Sequence, residues 1–106
     1  MFFIGARIWP GITKLVEEAG EVVQVCGKLM ANGGASVHYD GSNLYERLEE
    51  ELGDVLAAID FVMQHNDLRL SRTRIESRRK KKLQMFEHWH EDTLKRTPEP
   101  TNPRSA

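Results

Sequence analysis

From Leu15 onward, apolar residues recur at the three-and-four spacing of one helix face: Leu15, Val22, Val25 and Leu29. Pro10-Gly11 precedes this run and separates it from a short aromatic segment holding Phe2, Phe3 and Trp9. The pattern predicts a first helix from about Thr13, a suitable N-cap, to Ala31 or Asn32. Gly33-Gly34 should end it, because glycine tolerates the left-handed backbone at a helix C-terminus. Residues 33–42, GGASVHYDGS, have turn composition and no period, and read as a loop. Asn43 followed by Glu46 resembles a capping box and opens a second helix that runs to about His65. Its apolar stripe is Leu44, Leu48, Val55, Ala58 and Val62. Asn66-Asp67 breaks the pattern, and a third helix is expected from Ser71 to about Asp92, its apolar side marked by Ile75, Leu83, Phe86 and Trp89. There is no repeat and no strand-like alternation of useful length. The expectation is an all-α helical bundle formed by residues 1–96. Residues 97–106, with three of the four prolines, read as an extended or disordered tail.

Both of the first two stripes have an acid where an apolar residue belongs. Glu18 fills the gap between Leu15 and Val22, and Glu51 the gap between Leu48 and Val55. Each has a second acid at i+3, Glu21 and Asp54, and Glu17 lies at i−4 from Glu21. A carboxylate in an apolar stripe is costly to desolvate, and two such pairs facing one another repel. A single acid so placed would reach past the edge of the bundle to water. Matching pairs on successive helices point instead to a cation that offsets their charge. Four or five hard oxygen ligands suit Mg²⁺ or Mn²⁺, which also accept phosphate oxygens. Gly20 precedes Glu21 and Gly53 precedes Asp54. Mid-helix glycine costs about 1 kcal/mol relative to alanine, so its use at the same step of both motifs suggests close helix approach or room for a ligand.

Composition narrows the class. A chain of 106 residues and 12.2 kDa is one domain's worth of core. A 40% hydrophobic fraction is ordinary for a globular protein. One cysteine, Cys26, excludes an internal disulfide framework and a cysteine-rich zinc site, and reads as a small core residue. No apolar run approaches the roughly 20 residues that span a bilayer, and the start of the chain lacks the basic region of a signal peptide, so a cytoplasmic protein is expected. The net charge of −1 conceals an uneven distribution. Residues 17–60 hold ten acids against two bases, whereas residues 69–82 hold eight bases against Glu76. In the third helix, Arg79 and Lys82 lie along the apolar side, placed to reach phosphate oxygens if that side docks beside the acids. The bland alternative is a solvated helix whose long side chains cover apolar surface. Nucleic-acid binding by this segment is a further alternative, opposed by the dense acid block in the same small chain. His88-Trp89-His90 lacks a third ligand and reads as a surface pair. Trp9, Phe2 and Phe3 read as packing residues of a core or subunit interface, with stacking on a flat ligand the alternative, and His38 and Tyr39 in the loop are further candidates for such contact.

Glu17-Glu18-Ala19-Gly20-Glu21 followed by Glu51-Leu52-Gly53-Asp54 resembles the EExxE…ExxD signature of the all-α nucleoside triphosphate pyrophosphohydrolases, the MazG-like superfamily. The resemblance covers about residues 13–92, and Lys82-Leu83-Gln84-Met85-Phe86 is similar to a segment that often follows in these proteins. The 29-residue spacer between Glu21 and Glu51 is long for the family, which marks the GGASVHYDGS loop as particular to this branch. The resemblance implies Mg²⁺-dependent hydrolysis of a (d)NTP to the (d)NMP and pyrophosphate by metal-activated water, with Mn²⁺ a possible substitute. It implies Glu18, Glu21, Glu51 and Asp54 as metal ligands. Glu17, on the same helical face, would take a proton from the water or hold a further ion. It also implies a homodimer or homotetramer, which fits three thin helices whose inner faces carry acids. The rival from another class is a non-catalytic helical interaction module with the acid pairs on exposed flanks.

Overall fold

The computed structural model describes residues 7–96. Phe2, Phe3 and the tail at 97–106 lie outside the described residues. Three helices account for the regular structure: α1 Ile12–Ala31, α2 Leu44–His65 and α3 Arg72–Arg96. Among the described residues there is no strand, only one isolated antiparallel bridge between Val37 and Asn43. The fold is all-α. The chain divides into two compact units at Asn66–Asp67, the first holding α1, the loop and α2, the second holding α3. No helix among the described residues is long and apolar enough to cross a membrane.

In the first unit, α1 starts earlier than its sequence suggests. The N-cap is Gly11 at φ +86°, not Thr13, and no side chain caps the helix. The turn is closed by backbone alone: Ile12 N donates to Trp9 O (3.1 Å) and Leu15 N to Gly11 O (3.0 Å). Glycine is required here twice over. Its positive φ is strained for other residues, and a Cβ would come within 2.6 Å of Phe61 Cδ1 on α2. At the other end Gly34 N donates to Leu29 O (2.8 Å), ending the helix at the expected glycine pair.

The intervening loop is built locally. Asn32 Nδ2 donates to Ala35 O and Val37 O, and Tyr45 OH donates back to Gly34 O. Asp40 Oδ1 accepts from the Ser42 hydroxyl (2.6 Å) and the Ser42 amide (3.0 Å). The hydroxyl bond is the main reason its carboxyl is held down to about 2. Asn43 then caps α2, its side-chain oxygen accepting from Tyr45 N and Glu46 N.

Contacts at two levels of the pair show that α1 and α2 run antiparallel. Gly11 meets Phe61 and Val62, and Glu18 and Glu21 meet Glu51 and Asp54. The core of the pair is small: Val25 and Leu44 are fully buried, Ala58 and Val62 nearly so. The rest of both stripes, including Leu15, Val22, Leu48 and Val55, is only half-buried, as is Cys26. Asn66 is the buried polar residue here, and its Nδ2 donates to Pro10 O (3.0 Å) and Val62 O (2.7 Å). That amide pins the turn before α1 to the end of α2.

In the second unit, Ser71 Oγ accepts from Arg74 N (3.1 Å) and caps α3. The helix continues past Asp92 to Arg96, helped by an Asp92–Arg96 ion pair at i,i+4 (3.4 Å). No residue of α3 is buried, and Leu83, Phe86 and Trp89 are each about half exposed.

Candidate metal centre

The antiparallel register of α1 and α2 sets the two acid pairs opposite each other. One carboxylate oxygen from each of Glu18, Glu21, Glu51 and Asp54 lies within 4.8 Å of the others. The first three are half-buried and Asp54 is exposed, so the cluster opens to solvent on the Asp54 side. Glu18 Oε2 and Glu51 Oε2 are buried without any hydrogen-bond partner. A buried acceptor is normally paired, and these are the two acids that occupy the gaps in the apolar stripes.

The electrostatics follow from that placement. Burial holds the Glu18 carboxyl above its ordinary value, with the charge and contact of Glu21 and the charge of Asp54 adding to it. Glu51 is raised first by its close approach to the Glu21 carboxyl, then by burial and by the charges of Glu21, Asp54 and Glu18. Lys14 relieves Glu18 only slightly. The donor set is all oxygen, anionic and partly desolvated, and two of its acceptors have no protein donor. A hard divalent cation fits that chemistry, because it satisfies the orphaned oxygens and removes the repulsion together.

The remaining candidates fall elsewhere. Glu17 is exposed and forms an i,i+3 ion pair with Lys14 (3.1 Å). Arg79 and Lys82 belong to the second unit. The Arg79 guanidinium forks onto Glu76, with Nε at 3.1 and 3.0 Å from its two oxygens. This contact holds Glu76 below its ordinary value and Arg79 above its own. Lys82 Nζ lies over the rings of Phe86 (5.8 Å) and Trp89 (5.7 Å). His38 Nδ1 lies 3.3 Å from Asp40 Oδ1, and its ring is 4.3 Å from that of Tyr39, which is almost fully exposed. Among the described residues no third ligand joins His88 and His90. Gly20 and Gly53 correct one expectation: a Cβ at either position meets nothing within 4 Å, so neither serves close approach of α1 to α2. They leave open space beside the motifs.

Two residues were missed in the sequence. Lys14 and Phe61 line a cavity of about 330 Å³ together with Glu18, Asp54, Ala57 and Ala58. The available signal was register, since Lys14 is one turn before Glu18, and Phe61 is two turns after Asp54.

Acid-x-x-acid pairs from two antiparallel helices, converging on one cluster beside an open cavity, define an all-α protein with a candidate cation site. The chain belongs to the MazG nucleotide pyrophosphohydrolase family: the sequence model of the MazG nucleotide pyrophosphohydrolase domain matches residues 11–85. That span contains α1, α2, all four clustered acids and the basic part of α3. No curated protein and no solved structure shows significant similarity to the chain.

The raised carboxyls make a prediction about metal-free protein. In the fold, Glu51 keeps its proton over a pH range in which the unfolded chain has already lost it. Stability therefore falls as pH rises from about 4.5 through the raised folded value, and stays reduced above it. In EDTA, Glu51→Gln should unfold at higher urea than the parent at pH 7 to 8. The difference should close below pH 4.5. A variant less stable than the parent at neutral pH in EDTA would show that Glu51 has a favourable partner and is not repelled.

Proposed function

We propose that this protein is a Mg²⁺-dependent nucleoside triphosphate pyrophosphohydrolase, converting a (d)NTP and water to the (d)NMP and pyrophosphate. The observation that carries this reading is the convergence of Glu18, Glu21, Glu51 and Asp54 with two orphaned buried oxygens, inside the segment matched by the family. Those four residues would hold the ion. Mg²⁺ suits an all-carboxylate set that leaves room for waters and phosphate oxygens, and Mn²⁺ can replace it. The bound cation supplies neutralisation of charge at the reacting phosphate and greater acidity of its water. Glu17 sits one turn from Glu21, exposed and paired with Lys14, and would take the proton of the attacking water. Arg79 and Lys82 are assigned to phosphate oxygens outside the ligand set. For Arg79 this requires exchange of Glu76, and that pair is exposed and costs little to open. A non-catalytic interaction module would have no use for the orphaned oxygens of Glu18 and Glu51.

Self-association is part of the proposal. Val16, Val23 and Met30 repeat every seven residues on the outer face of α1 and are 69, 71 and 78% exposed. Leu52, Leu56 and Ile59 form a second exposed apolar run on α2. Apolar stripes at this spacing suit packing against another helix, and a homodimer or homotetramer would cover them. A cytoplasmic location is part of the same proposal.

Two outcomes are expected. A panel of canonical and modified (d)NTPs with Mg²⁺ should yield monophosphate and pyrophosphate for at least one member. Glu51→Gln should lower that turnover by about 100-fold or more, the scale on which loss of one electrostatic stabiliser acts. Full turnover by Glu51→Gln, or none by the parent across the panel, would contradict the reading. Sedimentation equilibrium should give a mass two or four times 12.2 kDa, with Val23→Glu weakening the assembly. A fully active monomer would remove the oligomer from the account.

A further inference from the structure

The acid cluster occupies one end of a longer feature in the first unit. The cavity that shares Glu18 and Asp54 extends along the helix pair past Ala57 and Ala58 to Phe61, with Lys14 on the opposite helix. Its volume of about 330 Å³ is within the range of small-ligand sites. At 1.5 Å per residue, Phe61 lies roughly 10 Å along α2 from Asp54, the scale that separates the phosphates of a nucleotide from its base. The two ends differ in chemistry. One offers carboxylates and an ammonium, the other an alanine floor and an aromatic ring.

The ring is held in place by its neighbours. Gly11 leaves no room between α1 and the Phe61 edge, since a Cβ there would be 2.6 Å from Cδ1. The His65 ring stacks on Phe61 with centroids 4.2 Å apart and planes at 27°. Phe61 nevertheless remains 46% exposed. An apolar ring fixed in position yet left half open next to a charged site is placed for a ligand with a flat face. Lys14 is similarly available. Its partner Glu17 is 3.1 Å away, but both side chains are more than half exposed, so the pair is weak and exchanges readily for a phosphate oxygen.

We propose that this cavity seats the nucleoside of the substrate, with the base packed on Phe61 over Ala57 and Ala58, and Lys14 on a phosphate. The proposal rests on the pyrophosphohydrolase reading and adds a statement about specificity. Ala57, Ala58 and Phe61 carry no side-chain donor or acceptor, so this wall reads the face of a base and not its hydrogen-bonding edge. Strong discrimination requires buried polar groups that a wrong substrate leaves unpaired, whereas apolar walls discriminate by only about 10- to 200-fold. The site therefore tolerates different bases and favours purines through their larger stacking area.

The test is equilibrium binding to the full chain in Mg²⁺, with three probes: α,β-methylene ATP, α,β-methylene CTP and inorganic tripolyphosphate. Phe61→Ala should weaken both nucleotides about tenfold, as expected for loss of one base–aromatic stack, and leave tripolyphosphate unchanged. Phe61→Leu keeps apolar bulk against Gly11, so it guards against a folding defect and should also lose nucleotide affinity. Lys14→Gln should weaken all three probes. Nucleotide affinity unchanged in both Phe61 variants would overturn the proposal while leaving the pyrophosphohydrolase reading standing. So would equal weakening of tripolyphosphate in both, or a preference beyond about 200-fold between the two bases in the parent. A parent that binds none of the probes would instead remove the pyrophosphohydrolase reading, and this proposal with it.

Discussion

Four carboxylates crowded between two helices are the constraint on which the rest of this structure turns. Glu18 and Glu51 stand where apolar residues would complete the α1 and α2 stripes, and each brings an oxygen out of contact with water and with any donor. Glu21 and Asp54 add charge within 4.8 Å. Among the described residues Lys14 offsets this charge slightly, and its main partner is Glu17. Such a helix pair is expected to be less stable than one with leucines at the same positions, and a bound cation would restore what the acids remove.

That constraint explains how the first unit is held together. Its fully or nearly fully buried apolar core is confined to Val25, Leu44, Ala58 and Val62, too little to oppose the repulsion by burial alone. Clamps at the two ends of the pair share the load. At one end Gly11 allows α1 to start against Phe61 and Val62, and the Asn66 amide bonds to Pro10 across that contact. At the other, the Asn32, Asp40 and Asn43 side chains organise the loop and cap α2. The acids lie between the clamps, where the register is fixed from both sides. Fixing both ends of the antiparallel pair opposes the sliding that would relieve the charge.

Much of this was legible in the residues. Helix periodicity placed all three elements, because apolar stripes and glycine or asparagine breakers are local signals. The acid pairs were legible for the same reason: an acid inside a stripe is an anomaly visible without coordinates. What was not legible depends on contacts across the chain. Thr13 looked like a cap, yet the approach of Phe61 demanded a residue without a side chain at position 11. Gly20 and Gly53 suggested close helix approach, but they turn away from the partner helix, a distinction that small residues in a helix do not encode. Arg79 looked free for phosphate until Glu76, three residues earlier, was seen to hold it. Lys14 and Phe61 were passed over because one reads as a surface lysine and the other as a core aromatic. Only the antiparallel register brings them to the same cavity as the acids.

The proposed function depends on Glu18, Glu21, Glu51 and Asp54 holding a divalent cation together. The most direct measurement is Mn²⁺ binding to nucleotide-free protein, followed by the loss of the free-ion electron paramagnetic resonance signal on titration. Saturable binding by the parent that is competed by Mg²⁺ and weakened or lost in both Glu18→Gln and Glu51→Gln is the predicted result. No saturable binding, or equal binding by parent and variants, would contradict the account.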